Sequence, residues 1–391
     1  MRTHLEAIFR AGVDACRPEP LVAAALPPRA RGRTICLAIG KAAPAMARAV
    51  ERAWDGPLEG LVVAPHGTAA GLDRLPLVAA GHPVPDEASL DAATRLLALA
   101  RGAGRDDLLL CLLSGGASAL ACLPGEGLTL AQKQRVTRDL LRSGGPVADI
   151  NCVRRHLSRI KGGRLAAATA PAKVLTLAIS DVIGDPPADI GSGPTVADPT
   201  TLADAMDVLR RHGVDAPDRG WSETMKRVGG DYRVLAGNRD ALRAAAAQAR
   251  RLGYRPQILG EVAGEAREAG RAHAALALAA APGTALISGG ELTVTVTGRG
   301  VGGPNQEYAL AAAIALAGRE HVAGLAADTD GIDGTGAAAG AFFGSGVAAE
   351  GAEAALADND SGAWFAARGA LFVTGPTGTN VNDLRILLTA R

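Results

Sequence analysis

Residues 34–54 read TICLAIGKAAPAMARAVERAW. Thr34–Ile39 is apolar throughout and of strand length, as expected of a strand buried on both faces. Gly40-Lys41 then turns the chain, and about Ala42 to Trp54 predicts a helix. The same design recurs downstream. Leu61–Ala64 is a second short run. Leu108–Leu113 is a third, followed by Ser-Gly-Gly-Ala-Ser at 114–118, and Lys173–Ile179 a fourth, followed by Ser180-Asp181. Strands that alternate with helices predict a doubly wound, Rossmann-like parallel sheet of the α/β class.

Residues 3–26, ahead of this block, predict a helix that stops before Pro27-Pro28. The character changes after about residue 229, where Gly229-Gly230-Asp231 suggests a linker. Tyr232–Ala236 predicts a new strand and Arg239–Leu252 a helix. Thr284–Ser288 predicts another strand. Glu291–Thr297 reads ELTVTVT, whose strict alternation predicts a strand with one polar face. Asn305–Ala317 predicts a helix, and Val322–Ala327 and Ala370–Thr374 predict strands. The expected organisation is a Rossmann-like domain over 1–229, completed or not by the segment 380–391. A smaller mixed α/β domain is expected over 230–379. An interdomain cleft is the default binding site.

Lys+Arg number 41 and Asp+Glu 40. That balance offers no basic face for nucleic acid. Fifty of 391 residues are glycine, nearly twice the usual share of about 7%. They cluster beside apolar runs, where backbone turns tightly or approaches a ligand. The five cysteines form no C-x-x-C pair, which argues against a zinc site or a disulfide framework and suits a reducing cytoplasm. Glu6 and Arg10 interrupt the N-terminal apolar stretch, so no signal peptide is expected. No apolar stretch approaches the ~20 residues of a membrane span.

Several tracts carry chemistry, each with a plainer reading beside it. Lys41 stands where a strand end meets a helix start, a position that favours anions; it is read either as a phosphate-neutralising lysine or as an exposed first-turn residue. Ser114, Gly115, Gly116 and Ser118 form either a backbone nest for phosphate or a capped strand-to-helix turn. Asp181 and Asp185, with Asp189 in the same loop, follow a parallel strand at the end where ligands bind. They are candidates to hold Mg²⁺, to accept a substrate proton, or merely to cap a loop. Residues 151–164, NCVRRHLSRIKGGR, include Arg154 and Lys161, which read as a clamp for a carboxylate or phosphate, or as a solvated helix face. Gly298–Gly303 satisfies G-x-G-x-x-G, with Asp328 about 25 residues on, the outline of a dinucleotide fingerprint. The acidic tract Asp328–Gly334, with Asp330 at its centre, is either a Mg²⁺ loop or an Asx-rich turn.

Together, AIGKAAPAM, AGHPVPD, LLSGGASAL, INCVRRHLSRIKGGRLA, AISDVIGDPPADIGSGPT, ISGGELTVTVTGRGVGGPNQEYAL, DTDGIDGTGAAAGA and GPTGTNVNDLRI resemble the glycerate 2-kinase family, with its N-terminal kinase domain and C-terminal MOFRL domain. They span about residues 38–386 in one order. The resemblance implies ATP-dependent phosphorylation of D-glycerate to 2-phosphoglycerate with Mg²⁺. It sets Lys41 on the family's catalytic lysine. Many relatives carry arginine in GGRNQE where this chain has Pro304, so Arg299 or Arg385 is left to supply an arginine. Some relatives carry the name hydroxypyruvate reductase, which keeps an NAD(P)H-dependent reductase as the alternative.

These readings give a definite expected site. ATP phosphates lie over Ser114–Ser118, with Gly300, Gly302 and Asn305 as further phosphate contacts. Lys41 and Asp181 act in transfer, Arg154 and Lys161 grip the glycerate carboxylate, and Asp189 and Asp330 hold the metal. The expected partners are the two small substrates, without nucleic acid or membrane; a homodimer is left open, in the cytoplasm.

Overall fold

The structure is a computed structural model, and it describes residues 1–69, 71–334, 336–344, 347 and 350–391. Thr335, inside the DTDGIDGTGAAAGA stretch quoted above, lies outside the described residues. The chain forms two compact units, Pro18–Leu235 and a second that joins Met1–Arg17 to Ala236–Arg391. The elements run α1 (Arg2–Ala15), α2 (Pro18–Ala25), β1 (Thr34–Ile39), α3 (Ala43–Ala53), β2 (Leu58–Pro65), β3 (Leu77–Ala80), α4 (Glu87–Arg101), β4 (Leu108–Leu113) and α5 (Ala117–Leu120). Next come α6 (Leu130–Arg142), α7 (Val147–His156), α8 (Arg164–Thr169), β5 (Lys173–Ile179), α9 (Leu202–Arg211), β6 (Asp231–Ala236), α10 (Asn238–Arg251), β7 (Arg255–Glu261), β8 (Gly264–Glu265) and α11 (Ala266–Ala279). Last are β9 (Thr284–Gly290), β10 (Leu292–Thr293), α12 (Pro304–Ala315), β11 (Val322–Asp328), β12 (Gly340–Gly344), α13 (Ala352–Ala357), α14 (Ser361–Ala366), β13 (Leu371–Phe372) and β14 (Asp383–Thr389).

In the unit over Pro18–Leu235 the strand order is β3-β2-β1-β4-β5-β6. The pairings of β1 with β2 and β4, of β2 with β3 and of β4 with β5 are parallel. Every residue of β1 and β4 is buried, in keeping with helices on both faces. This is the doubly wound order of dinucleotide-binding folds, and its direction reverses between β1 and β4. In the other unit the order is β13-β12-β11-β14-β9-β7. β14 pairs antiparallel with both β11 and β9, whereas β7 and β9 are parallel, so this sheet is mixed. Helices α1 and α10 pack Leu5, Ile8, Phe9, Leu242 and Ala245 onto one face. Helices α11 and α12 pack Ala274, Tyr308 and Ala312 onto the other.

The expected α/β class and the parallel and mixed sheets are present, but the boundaries move. The predicted single helix over 3–26 is two helices, because Pro18 cannot continue α1. Helix α1 belongs to the second unit, where its apolar stripe is buried. Strand β6 extends the first sheet beside β5 instead of opening a new domain at 230. The segment 380–391 does not complete the Rossmann-like unit; it holds β14, between β11 and β9 of the mixed sheet. Of the alternating tract Glu291–Thr297, only Leu292–Thr293 is strand. Beyond it, the N–H of Thr295 donates to Glu265 and that of Thr297 to Asn359, both side-chain acceptors.

Candidate functional site

The carboxyl ends of β1 and β4 meet at the point where strand order reverses. Gly40, at the end of β1, has φ 135°, and a Cβ there would lie 2.1 Å from Ser114 Oγ. Only glycine permits that approach. The two turns are then stitched together: the Lys41 N–H donates to Gly115 O at 2.8 Å, and the Ala42 N–H to Ser114 Oγ at 3.0 Å. Ser114 is fully buried, so its hydroxyl fixes the turn and is spent on the protein itself. Lys41 is half-buried, as are Gly116 and Ser118. Gly116 has φ 82°, and the imidazole of His82, from the loop after β3, lies 2.9 Å from where its Cβ would be.

The loop after β5 joins the same edge. Ser118 and Ser192 share a hydrogen bond of 2.8 Å, and Ser192 donates to Asn151 Oδ1 at 3.3 Å. Asn151 Nδ2 donates to Asp189 Oδ1 at 3.2 Å. Asp181, two residues past β5, is half-buried. Thus Lys41, the Ser114–Ser118 turn, Asp181 and Ser192 belong to the turns and loops at one sheet edge, and Asn151, midway along α7, is tied to them through Ser192. No motif rule singles out Asn151 or Ser192. The available signal was their membership of the same basic and Gly/Pro-stiffened tracts that supplied Arg154 and Asp189.

The basic stretch divides by partner. Arg155 is buried between Asp189 at 2.8 Å and Asp198 at 3.0 Å. Arg154, its neighbour, donates at 3.4 Å to Asn151 Oδ1 and has no carboxylate partner among the described residues. Lys161 is 2% exposed, and its Nζ donates to Ala121 O at 3.1 Å. Burial, with Lys133 and Arg154 nearby, pushes the Lys161 ammonium down to about 7. Lys161 therefore lies beneath the short helix α5 and not on an open surface, which corrects the expectation of a direct grip on substrate.

The expected metal and phosphate residues also sort themselves. Oδ1 of Asp189 already accepts from Arg155 and Asn151, so this carboxylate anchors its loop to α7. Asp330 belongs to the other unit; its Oδ1 accepts from the Ile332 N–H in an Asx turn, and the plain reading of that tract holds for this oxygen. No group of three or more His, Cys, Asp or Glu among the described residues could hold a metal. A cavity of about 460 Å³ between α7, the 186–200 loop and α9 is lined by Asp149, Asp189, Asp204 and Asp207 against Arg155 and Arg211. That excess of carboxylates makes it a poor place for phosphate.

Gly300 is corrected as a phosphate contact through its N–H. The N–H groups of Thr297 and Gly298 donate to Asn359 Oδ1, Arg299 to Asp358 Oδ1, Gly300 to Asp358 O and Val301 to Asp360 Oδ1. The donors from Thr297 to Val301 are thus taken by the chain's own acceptors, two of them carboxylates. The glycines are needed for packing: a Cβ on Gly300 would meet Asp360 at 2.3 Å, and one on Gly302 would meet Ser361 Oγ at 2.3 Å. The preceding strand is two residues long, so the strand–turn–helix context of a dinucleotide fingerprint is missing as well.

Asn305 is 1% exposed and donates through Nδ2 to Asp383 at 2.6 Å and Asp333 at 3.3 Å. Asp333 in turn caps α12 from a distance, accepting from the Asn305 and Gln306 N–H groups at 3.0 and 2.8 Å. Asn305 is structural here. So is Arg385, fully buried, which donates to Gly289 O and Gly290 O and pairs with Asp383. Of the two substitutes for the missing arginine, only Arg299 is exposed.

Comparisons with known proteins agree with this architecture. The family profile described as "Domain of unknown function (DUF4147)" matches residues 4–222, and that of the MOFRL family matches 284–383. A protein of Agrobacterium vitis with a provisional hydroxypyruvate reductase name is 45% identical, covering 99% of this chain and 94% of its own. The D-glycerate 2-kinase of Thermotoga maritima is 40% identical over 97% of this chain and 96% of its own. A crystal structure of glycerate kinase from Thermotoga maritima superposes with a TM-score of 0.88 at 39% identity, covering 98% of each chain.

Proposed function

This chain belongs to the glycerate kinase family, and from that membership we propose that it transfers the γ-phosphoryl group of ATP to the 2-hydroxyl of D-glycerate. The observation that supports it most is the joining of Lys41 to the Ser114–Ser118 turn at the switch point between β1 and β4. In a sheet of this order, that crevice is where ligands bind. A nicotinamide enzyme would carry its three-glycine turn after β1. This chain has Gly40 followed by a lysine there, a pairing suited to phosphate.

Phosphoryl transfer asks mainly for position and charge neutralisation. The polyphosphate lies over Gly115, Gly116 and Ser118, with the Lys41 ammonium compensating charge that develops on the transferred group. Arg154 takes the glycerate carboxylate, with Asn151 and Ser192 orienting it. Mg²⁺ would neutralise phosphate charge, and Asp181 is the residue suited to hold it, since Asp189 is committed to Arg155.

Purified protein with D-glycerate, ATP and Mg²⁺ should release ADP only when glycerate is present, with 2-phosphoglycerate as product. Loss of NADH with hydroxypyruvate, and no glycerate-dependent ADP, would reject the reading.

A further inference from the structure

Behind Arg154 the protein buries two more cations. Lys133, on α6, is 3% exposed, and its Nζ donates to Leu157 O at 2.7 Å and to Arg154 O at 3.5 Å. Lys161 is 2% exposed and has one acceptor, Ala121 O, for three donors. Neither lysine, nor Arg154, has a carboxylate within 4.0 Å among the described residues. Arg155, one residue along the same helix, has two.

An isolated buried ammonium is costly, and proteins ordinarily pair it. Here the compensation that the described residues offer is a set of carbonyl oxygens. Among the described residues, the titratable or charged groups that act on the two lysines are Cys122, Arg154 and Arg164, together with each other, and none is a carboxylate. Arg154 is the member of this group that reaches the loop edge, through Asn151 and its hydrogen-bond partner Ser192.

We infer that Lys133, Arg154 and Lys161 form one anion-recognition cluster, in which the two buried lysines supply positive charge behind Arg154 for a small carboxylate, so that binding the anion draws a proton into the protein. The lysines are positioning residues and touch no reacting atom. The inference rests on the kinase reading only for the identity of the anion. Burial pushes Lys133 down to about 8 and Lys161 to about 7. Near pH 8 the cluster is therefore short of its full charge when empty. A bound carboxylate favours the protonated lysines, so affinity falls as pH rises above about 7, by up to tenfold per pH unit for one coupled proton.

The test is calorimetric titration of D-glycerate, and separately of glycolate, into the whole protein without ATP, at pH 7, 8 and 9 and in two buffers of different ionisation enthalpy. We expect proton uptake near pH 8 and weaker binding at pH 9. Lys161→Met and Lys133→Met keep side-chain volume, and each should flatten the pH slope; a merely structural role would lower the melting temperature and leave the slope intact. Heats independent of buffer in the unmodified protein, or a Lys161→Met slope equal to the parent's, would overturn the inference without need of a variant that folds poorly. Proton-coupled binding without ADP formation would instead leave the cluster standing and remove the kinase reading.

Discussion

Lys41 and Gly115 are joined through their backbones by a 2.8 Å hydrogen bond, so the turn after β1 and the turn after β4 form one rigid piece. The lysine side chain starts from a frame that the Ser114–Ser118 turn itself fixes. Lys41→Ala should therefore lower kcat by about 10²–10³-fold while the KM for glycerate and the melting temperature change little. Steady-state kinetics beside a thermal melt checks both halves of that expectation.

The same junction depends on a missing Cβ. Gly40→Ala would drive a methyl into Ser114 Oγ and place alanine at φ 135°. We expect a stability loss of at least about 1–3 kcal/mol, the usual cost of one such backbone strain, read as a lower denaturant midpoint, with activity lost in parallel.

Much of the first unit was legible because its strands are continuous apolar runs and its turns are glycine-marked, as in TICLAIGK and LLLCLLSGG. The mixed unit was harder. β14 carries Arg385 in the middle of an apolar strand, and a charged residue there reads as surface until its partners Asp383, Gly289 and Gly290 are in place. The G-x-G-x-x-G tract misled because spacing records where side chains are absent, not what fills the space. Asp358 and Asp360 fill it, some sixty residues away in sequence.

Gly300→Ala separates those two origins of a glycine. With Asp360 in the way, the variant should unfold at lower denaturant while the KM for ATP of the folded fraction stays within about twofold, a difference of a few tenths of a kcal/mol. A large rise in that KM at unchanged stability would restore the loop to the nucleotide site.

Arg385 and Arg299 make a contrasting pair. Arg385→Ala should cost about 3–5 kcal/mol, because it strands the buried Asp383 carboxylate. Arg299→Ala, on an exposed loop, should leave stability within about 0.5 kcal/mol, so that any fall in its kcat reports directly on transfer. Urea titrations and initial rates on both variants decide the point.

Burial, with the nearby Asp383 charge, pushes the Asp333 carboxyl up to about 7. A carboxyl raised in this way binds its proton more tightly folded than unfolded, so its contribution is full below about pH 4 and is lost as pH rises toward 7. Urea midpoints of the parent should carry this decline between pH 4 and 7, and Asp333→Asn should lack it. A parent and variant with identical slopes would refute the assignment.

Helix α1 and β14 are separated in the chain by the whole Pro18–Leu235 unit, yet both are parts of the same other unit. During synthesis the apolar stripe of Leu5, Ile8 and Phe9 must wait for its sheet, whose middle row is supplied only when residues 383–389 emerge. The Pro18–Leu235 unit has all its strands long before that moment. The Pro18–Leu235 unit can thus take shape while the strands of the other unit are still being made.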